Sequence, residues 1–554
     1  METERVSQLK QMAASLLTQL QEFEQQKGMS PESALSKPTV HDLELNSLRA
    51  QLAQVLDVDV QQACEKMETD LQAAITDFKG EMKDVESEIK RALGSADSTA
   101  DMDRPCYFSQ KVHKIRGPLL IRMCNSPDIR TIYHIFIAIM AVMCIGEVGK
   151  SYLTKGEVID LSLFVWAFGK FHYVVPFWGL MLGWSMLVIP IVQCISKGYV
   201  GKRIWIPVYI LYLALNYVGS SVFAIYMELP MASGFVVTCE MARLFMKSHS
   251  YMREKLMFGM GPNAHADFIP EKLLKRGITK DQLSFPTITI ENMTIEARRY
   301  LYFAFAPTLV YRDSYPRIPG VRRWKSVFYN LLNVLGTIIY TFIIFVTFCI
   351  PHFHECWHKQ WDGSIFTVSV FKSMLPGTML LLLMFFGILH SWQNLWGEIM
   401  MFGDRKFYED WWNVHNFADY YRKWNMTVHE WLHQYVYQDL IRFTKGKVSQ
   451  FGALCVVFAF SAFFHELILA VTMQFVYPLL FILFGGPGVL YVYLTRSKNR
   501  AYNIFVWSMF FIGNGLLVIF YTWEFYARQF IDLKPQYGWK AVFIPHSWQA
   551  TLAN

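Results

Sequence analysis

Charged side chains are scarce in this sequence. Asp, Glu, Lys and Arg make up 18% of its 554 residues, against about 25% in ordinary soluble domains. The scarcity is uneven: residues 1–127 are polar, and the remainder carries repeated apolar runs long enough to cross a bilayer. That excludes a soluble globular protein and implies a polytopic membrane protein with a soluble N-terminal extension. The net charge of +7 is small for this length, so no nucleic-acid partner is implied. The nine cysteines include no C-x-x-C pair, which argues against a zinc ribbon or a redox motif. None follows Cys455, so no disulfide can staple the final tail. Met1-Glu-Thr-Glu-Arg5 lacks an apolar h-region, so no cleavable signal peptide is expected. Thr551-Leu-Ala-Asn554 is not a retention tetrapeptide.

Two heptad-like runs occupy the extension. Val6, Leu9, Ala13, Leu16, Leu20 and Phe23 form one seam; Leu71, Ile75, Phe78, Met82, Val85, Ile89 and Ala92 form another. Self-association, as a homodimer or homotetramer, and packing on the protein's own surface both account for them. Residues 94–105 read as a linker. The expected domains are thus a helical cytosolic oligomerisation region with its linker, 1–105, and a membrane domain, 106–554.

The expected fold is all-α, with about nine spans near 130–148, 174–195, 204–227, 230–246, 326–350, 370–392, 448–472, 474–495 and 503–525. Basic residues gather in every second loop, which puts the N-terminus in the cytosol and the C-terminus on the lumenal or external side. The span 230–246 is the weakest, since it holds Glu240 and Arg243. Tyr300–Tyr311 is apolar but too short to span, and is expected to be re-entrant or interfacial. The sequons at Asn292 and Asn425 fall in cytosolic loops and are read as chance.

The chemistry concentrates between Phe407 and Glu466. An aromatic and acidic loop, Phe407-Tyr-Glu-Asp-Trp-Trp-Asn413, leads to Tyr420-Tyr-Arg-Lys-Trp-Asn425 and then to His429 and His433. Ser461-Ala-Phe-Phe-His465-Glu466 then interrupts an apolar span. Ionisable groups are costly there, so the default reading is functional. A neutral His465 can act as a general base toward a hydroxyl. A lone intramembrane histidine is more often structural, but Glu466 and Ser461 beside it shift the balance. His429-Glu430-Trp-Leu-His433 is a literal H-E-x-x-H, the pattern of zinc metalloproteases. Its amphipathic surroundings and the lack of a third ligand at a familiar spacing argue against a metal site, leaving a zinc intramembrane protease as the unlike-class alternative.

Three motifs resemble those of one family. Phe407 to Asn413 is similar to F-Y-x-D-W-W-N, Trp424 to His429 to W-N-x-x-V-H, and Ser461 to Glu466 to S-A-x-x-H-E of the membrane-bound O-acyltransferases. Ile129-Arg-Thr-Ile-Tyr-His134, Phe305–Arg317 and Phe402–Tyr408 resemble the sterol O-acyltransferase branch. The resemblance covers essentially all of 105–550 and implies the membrane-bound O-acyltransferase fold in the endoplasmic reticulum membrane. It implies transfer of a long-chain acyl group from acyl-CoA, a co-substrate, to a sterol 3-hydroxyl, with no cofactor and no metal. Diacylglycerol or a long-chain alcohol is the nearest alternative acceptor. The resemblance further implies His465 as base and Asn425 as second catalytic residue, with Glu466 in support. It implies acyl-CoA contacts at Asp419, Arg422, Trp424, His429, Tyr437, Ser461 and Lys447, with Lys445 competing for the last role. Phe407, Tyr408, Asp410, Trp411, Trp412 and Asn413 would shape the site, and His134 would lie on the sterol side. Gln438 departs from the family, which often has Lys there.

Overall fold

The computed structural model describes residues 111–156, 160–199, 204–258, 288–356, 363–444, 447–494 and 499–548, besides Ser47 and Thr69. Both heptad runs lie outside the described residues. The chain separates into two units, Met1–Pro105 and Cys106–Asn554. Among its described residues the second unit is helical with no named β-strand, only isolated bridges joining Arg116 to Asp404 and Arg317 to Phe402.

Among the described residues seven helical stretches are long and apolar enough to cross a membrane: Pro127–Thr154, Ser162–Ser196, Trp205–Tyr226, Trp324–Phe353, Gly363–Ile399, Gln450–Met473 and Tyr502–Phe530. They correspond to seven of the nine expected spans. The other two are helical as well, but differ in kind. The apolar stretch Leu479–Val492 is shorter than a full span. The helix Met231–Phe258 has 28 residues, but it carries too much charge to qualify by composition.

That charged helix is the centre of the fold, and its charges are paired within the protein. Arg253 donates to Asp439 at 2.6 and 3.0 Å. Lys255 meets Glu296 and Asp313 at 2.9 and 2.7 Å. Lys247 donates to the carbonyl oxygens of Ala304 and Ala306 at 3.0 and 2.8 Å. Those carbonyls lie at the C-terminal end of helix Met293–Phe305, where four backbone acceptors have no intrahelical donor and a cation is favoured. The pairing allows such charge inside a core, because an unpaired buried charge is prohibitive. It also bears on the apolar stretch Tyr300–Tyr311, which packs inside the protein. Tyr300, Phe303, Ala304, Val310 and Tyr311 are fully buried against this helix, which supplies the donors their backbone needs.

The spanning helices Gly363–Met384 and Tyr502–Phe530 approach closely through two glycines. A Cβ on Gly377 would lie 3.0 Å from the Asn514 carbonyl oxygen, and one on Gly515 would lie 2.9 Å from that of Val370. Small residues of this kind let helix backbones come together where no hydrophobic force favours protein over lipid.

The tail is closed by a carboxylate. Glu524, fully buried, accepts from the backbone N–H groups of His546 and Ser547 at 2.9 and 3.0 Å and from the Ser547 hydroxyl at 2.6 Å. Arg528 pairs with Glu524 at 2.6 Å and donates to the Ala541, Val542 and Ile544 carbonyls.

Among the described residues four π-helical segments interrupt the helices: Phe345–Cys349, Phe385–Trp392, Leu432–Tyr437 and Phe484–Gly488. Such bulges gather at functional sites, and the last three border the residues of the Phe407–Glu466 region.

Candidate active site

His465 lies on helix Gln450–Met473. Its Nδ1 is 2.7 Å from the carbonyl oxygen of Ser461, one turn earlier. The ring stacks on Phe484, with centroids 5.7 Å apart and planes at 16°. The His465 side chain is exposed, beside the half-buried and buried residues of the same helix. Glu466 points elsewhere. Its carboxylate accepts from the Tyr521 hydroxyl at 2.9 and 3.0 Å and from the Phe481 N–H at 3.1 Å, tying this helix to the two that come after it.

Asn425 begins helix Met426–Trp431. Its Oδ1 accepts from the Val428 N–H at 3.2 Å, an N-cap of the usual kind. The acceptor end of the amide is thereby held, and its NH2 end remains a donor with no hydrogen-bond partner among the described residues. The aromatic loop is laced to this position. Met426 N–H donates to the Phe407 carbonyl and Glu409 N–H to the Lys423 carbonyl, both at 2.9 Å. Lys423 reaches Asp410 at 2.7 Å. Trp411 is buried, edge-on to Trp424 at 4.6 Å. The Trp412 carbonyl accepts from Asn503 and Trp507 at 3.0 and 3.1 Å, which anchors the loop to the last spanning helix. Asn413 is exposed.

The structure therefore brings the Phe407–Asn413 loop and the Trp424-Asn425 pair into one unit. His465 joins it through rings: Phe484 contacts Tyr421 at 5.9 Å, and Tyr421 meets Phe458 of the His465 helix at 4.9 Å. His429, His433 and Tyr437 form a ladder on one helix face, with stacked rings 6.2 and 5.6 Å apart. Burial pushes His429 down to about 4, with His433 and Arg422 acting in the same direction, and burial lowers His433 too. Both are neutral near pH 7. Within the H-E-x-x-H sequence, Glu430 is engaged by Lys111, and burial raises its pKa. Among the described residues no group of three His, Cys, Asp or Glu side chains could hold a metal ion.

Other sequence-predicted residues lie further out. Asp419 and Arg422 pair with each other at 2.6 Å on the surface. Lys447 is exposed, and Lys445 lies outside the described residues. His134 is exposed on the first span. Its neighbour Tyr133 bonds Tyr329 at 3.0 Å and lies 6.3 Å from the Phe386 ring.

One residue of the site carries no signal in the sequence. His390, buried on the π segment Phe385–Trp392, has its Nδ1 2.7 Å from the Tyr408 hydroxyl of the aromatic loop. It also stacks on Phe386 at 5.3 Å. In sequence it is an isolated histidine in an apolar run, and only its proximity to Tyr408 connects it with the site.

This arrangement of loop, capped asparagine and helix-borne histidine coincides with a match of residues 293–523 to the membrane-bound O-acyltransferase family. The chain belongs to that family, in its sterol O-acyltransferase branch. It is 38% identical over 442 residues to sterol O-acyltransferase 1 of Mus musculus, covering 76% of each chain. It is 34% identical over 462 residues to sterol O-acyltransferase 2 of Homo sapiens, covering 81% of this chain and 82% of that one.

Proposed function

We propose that the protein transfers a long-chain acyl group from acyl-CoA to the 3-hydroxyl of a sterol such as cholesterol, releasing CoA. The similarity to sterol O-acyltransferases supports the substrates. The observation that carries the chemistry is the hydrogen bond of His465. A carbonyl can only accept, so Nδ1 carries the proton and Nε2 keeps its lone pair. Nε2 is thus the base. It takes the proton of the sterol hydroxyl as the oxygen attacks the thioester carbonyl. The NH2 of Asn425 donates to the carbonyl oxygen as negative charge develops there. Collapse of the tetrahedral intermediate breaks the C–S bond, and the imidazolium returns the proton to the departing CoA sulfur. The ester and free CoA–SH result, with His465 restored and no metal or cofactor required. Trp424, His429, Tyr437 and Ser461 border the acyl-CoA, with Asp419, Arg422 and Lys447 nearer its entry, and His134 faces the sterol.

The enzyme works in the endoplasmic reticulum membrane as a homo-oligomer, with its N-terminus cytosolic and its C-terminus lumenal. CoA is anionic and cytosolic, whereas the acyl chain and the sterol are lipids. A base within an apolar helix suits a reaction between them.

The test incubates membranes containing the protein with labelled oleoyl-CoA and cholesterol, diacylglycerol or a long-chain alcohol. Labelled cholesteryl ester is the expected product; ester from diacylglycerol alone would overturn the sterol assignment. Zinc analysis of the purified protein checks the remaining alternative, and stoichiometric metal would contradict the mechanism.

A further inference from the structure

The hydrogen bond from Nδ1 to the Ser461 carbonyl fixes one direction of the His465 ring and leaves another free. An imidazole held at a single point can still swing about that contact, and this side chain is exposed. A base must aim its lone pair at the reacting hydroxyl, and a misplacement of about 1 Å can cost on the order of a hundredfold in rate. A second contact is needed to hold the plane of the ring. Among the described residues one ring lies against it: Phe484, with centroids 5.7 Å apart and planes at 16°.

Phe484 is itself held in place. It directly follows helix Leu479–Leu483, which is fastened to the residue next to His465: the Glu466 carboxylate accepts from the Phe481 N–H at 3.1 Å. Phe481 and Phe484 are one helical turn apart. The adjacent residues His465 and Glu466 therefore contact successive turns of the same element. The Phe484 ring, half-buried, packs against the buried cluster that contains Tyr477, Leu480 and Tyr521. It also meets the ring of Tyr421 at 5.9 Å.

The backbone at this point departs from a regular helix. A π turn begins at Phe484 and runs to Gly488. Pro487 has no N–H to return to the Leu483 carbonyl four residues earlier, so one α-helical bond is missing and a wider turn fits. Gly488 then admits Tyr421: a Cβ there would lie 2.9 Å from the Tyr421 hydroxyl. Tyr421 comes four residues before Asn425. The segment that presents Phe484 to His465 thus also touches the segment that leads to Asn425.

We infer that Phe484 is a positioning residue for the base: its ring face holds the His465 imidazole in the plane that turns Nε2 toward the sterol hydroxyl. The inference rests on the reading of His465 as the base. A flat aromatic face suits this task, because stacked rings prefer defined orientations, whereas an aliphatic side chain of similar volume fills the space without setting one. A residue that only walled the path of the lipid substrates would act on their binding instead.

The test measures esterification of cholesterol with labelled oleoyl-CoA by the full-length protein in detergent. Phe484→Leu and Phe484→Met keep an apolar side chain but lose the flat face, and the pair guards against one of them failing to fold. In protein that elutes as a single folded species, each should lower kcat about ten- to a hundredfold with KM for both substrates unchanged. Phe484→Tyr should restore most of the rate. In a His465→Gln background Phe484→Leu should cause no further loss, because it acts through the imidazole. An unchanged kcat in both variants would overturn the inference. So would a raised KM with kcat intact, which would make Phe484 a wall of the substrate path, and so would equal losses with and without the imidazole. If His465→Gln kept a rate within tenfold of the unmodified enzyme, the reading of the base would fail and the inference with it. Loss of activity in His465→Gln beside unaltered Phe484 variants would sink the inference alone.

Discussion

His465 donates through Nδ1 to the carbonyl oxygen of Ser461 at 2.7 Å, so the imidazole and its orienting group belong to one helical turn. Here the helix backbone sets the tautomer, and no carboxylate is required. His465→Gln keeps an amide donor but has no basic lone pair. Its esterification rate should fall by about 10²–10⁴-fold, with an unaltered melting temperature and elution profile. A rate within tenfold of the unmodified enzyme would rule His465 out as the base.

Asn425 caps its helix, and a pair of substitutions can separate that task from the proposed catalytic one. Asn425→Asp retains an oxygen for the Val428 N–H but loses the NH2 donor, so stability should hold while turnover drops about 10²–10³-fold. Asn425→Ala should show the same loss of turnover and lose about 1 kcal/mol of stability besides. If the Asp variant turned over normally, the amide would have no part in polarising the thioester.

Glu466 is a tether for its helix. Glu466→Ala leaves the Phe481 N–H without its acceptor and the Tyr521 hydroxyl with only the Tyr477 carbonyl at 3.1 Å, and unfolding in detergent should come earlier by about 1–3 kcal/mol. Glu466→Gln keeps an acceptor and should recover much of that loss. A Gln variant that is stable but inactive would instead place the negative charge in the chemistry.

Acid should weaken the fold through buried neutral histidines. Burial lowers His113 to about 4, overcoming the opposing Asp404 beside it. The folded protein refuses a proton that the unfolded chain accepts below about 6.5. The contribution is therefore complete above that value and is lost as pH falls toward 4. Within that window each such histidine costs up to about 1.4 kcal/mol per pH unit. The melting temperature should fall between pH 7 and pH 5, and less steeply in His113→Phe, which preserves the edge contacts with Tyr315 and Phe402 at 5.2 and 5.8 Å.

Close approach at Gly515 makes it intolerant of side chains. Gly515→Val must displace the Val370 carbonyl or the Met374 side chain, each 2.9 Å from the added Cβ. A loss of about 1–3 kcal/mol, the usual cost of overpacking, should appear as earlier thermal unfolding. Gly513, with nothing within 4 Å of its Cβ position, should accept valine without that loss.

Local pattern makes much of this fold legible in the sequence. Apolar runs mark the seven long spans because hydrocarbon selects on composition alone. The motif residues at Asn425 and His465 stand out because polar groups are rare in such surroundings. Pairing over long sequence distances is not legible. Helix Met231–Phe258 resembles a weak span because the partners of its charges, Glu296, Asp313 and Asp439, lie about 40 to 190 residues away. His390 is silent for the same reason, since Tyr408 comes 18 residues later in the chain. The π segments share no common sequence, from Phe345-Val-Thr-Phe-Cys349 to Phe484-Gly-Gly-Pro-Gly488, and only the backbone shows that the turn has widened.

The clamp that Glu524 places on the tail has a practical consequence. Closure by a disulfide would depend on the oxidising state of its compartment and would open under thiol reductants. A carboxylate that gathers two backbone N–H groups and a hydroxyl has no such dependence. The tail of this protein should stay shut through dithiothreitol treatment, whereas neutralising that one acid, as in Glu524→Gln, should expose residues 531–548 to protease.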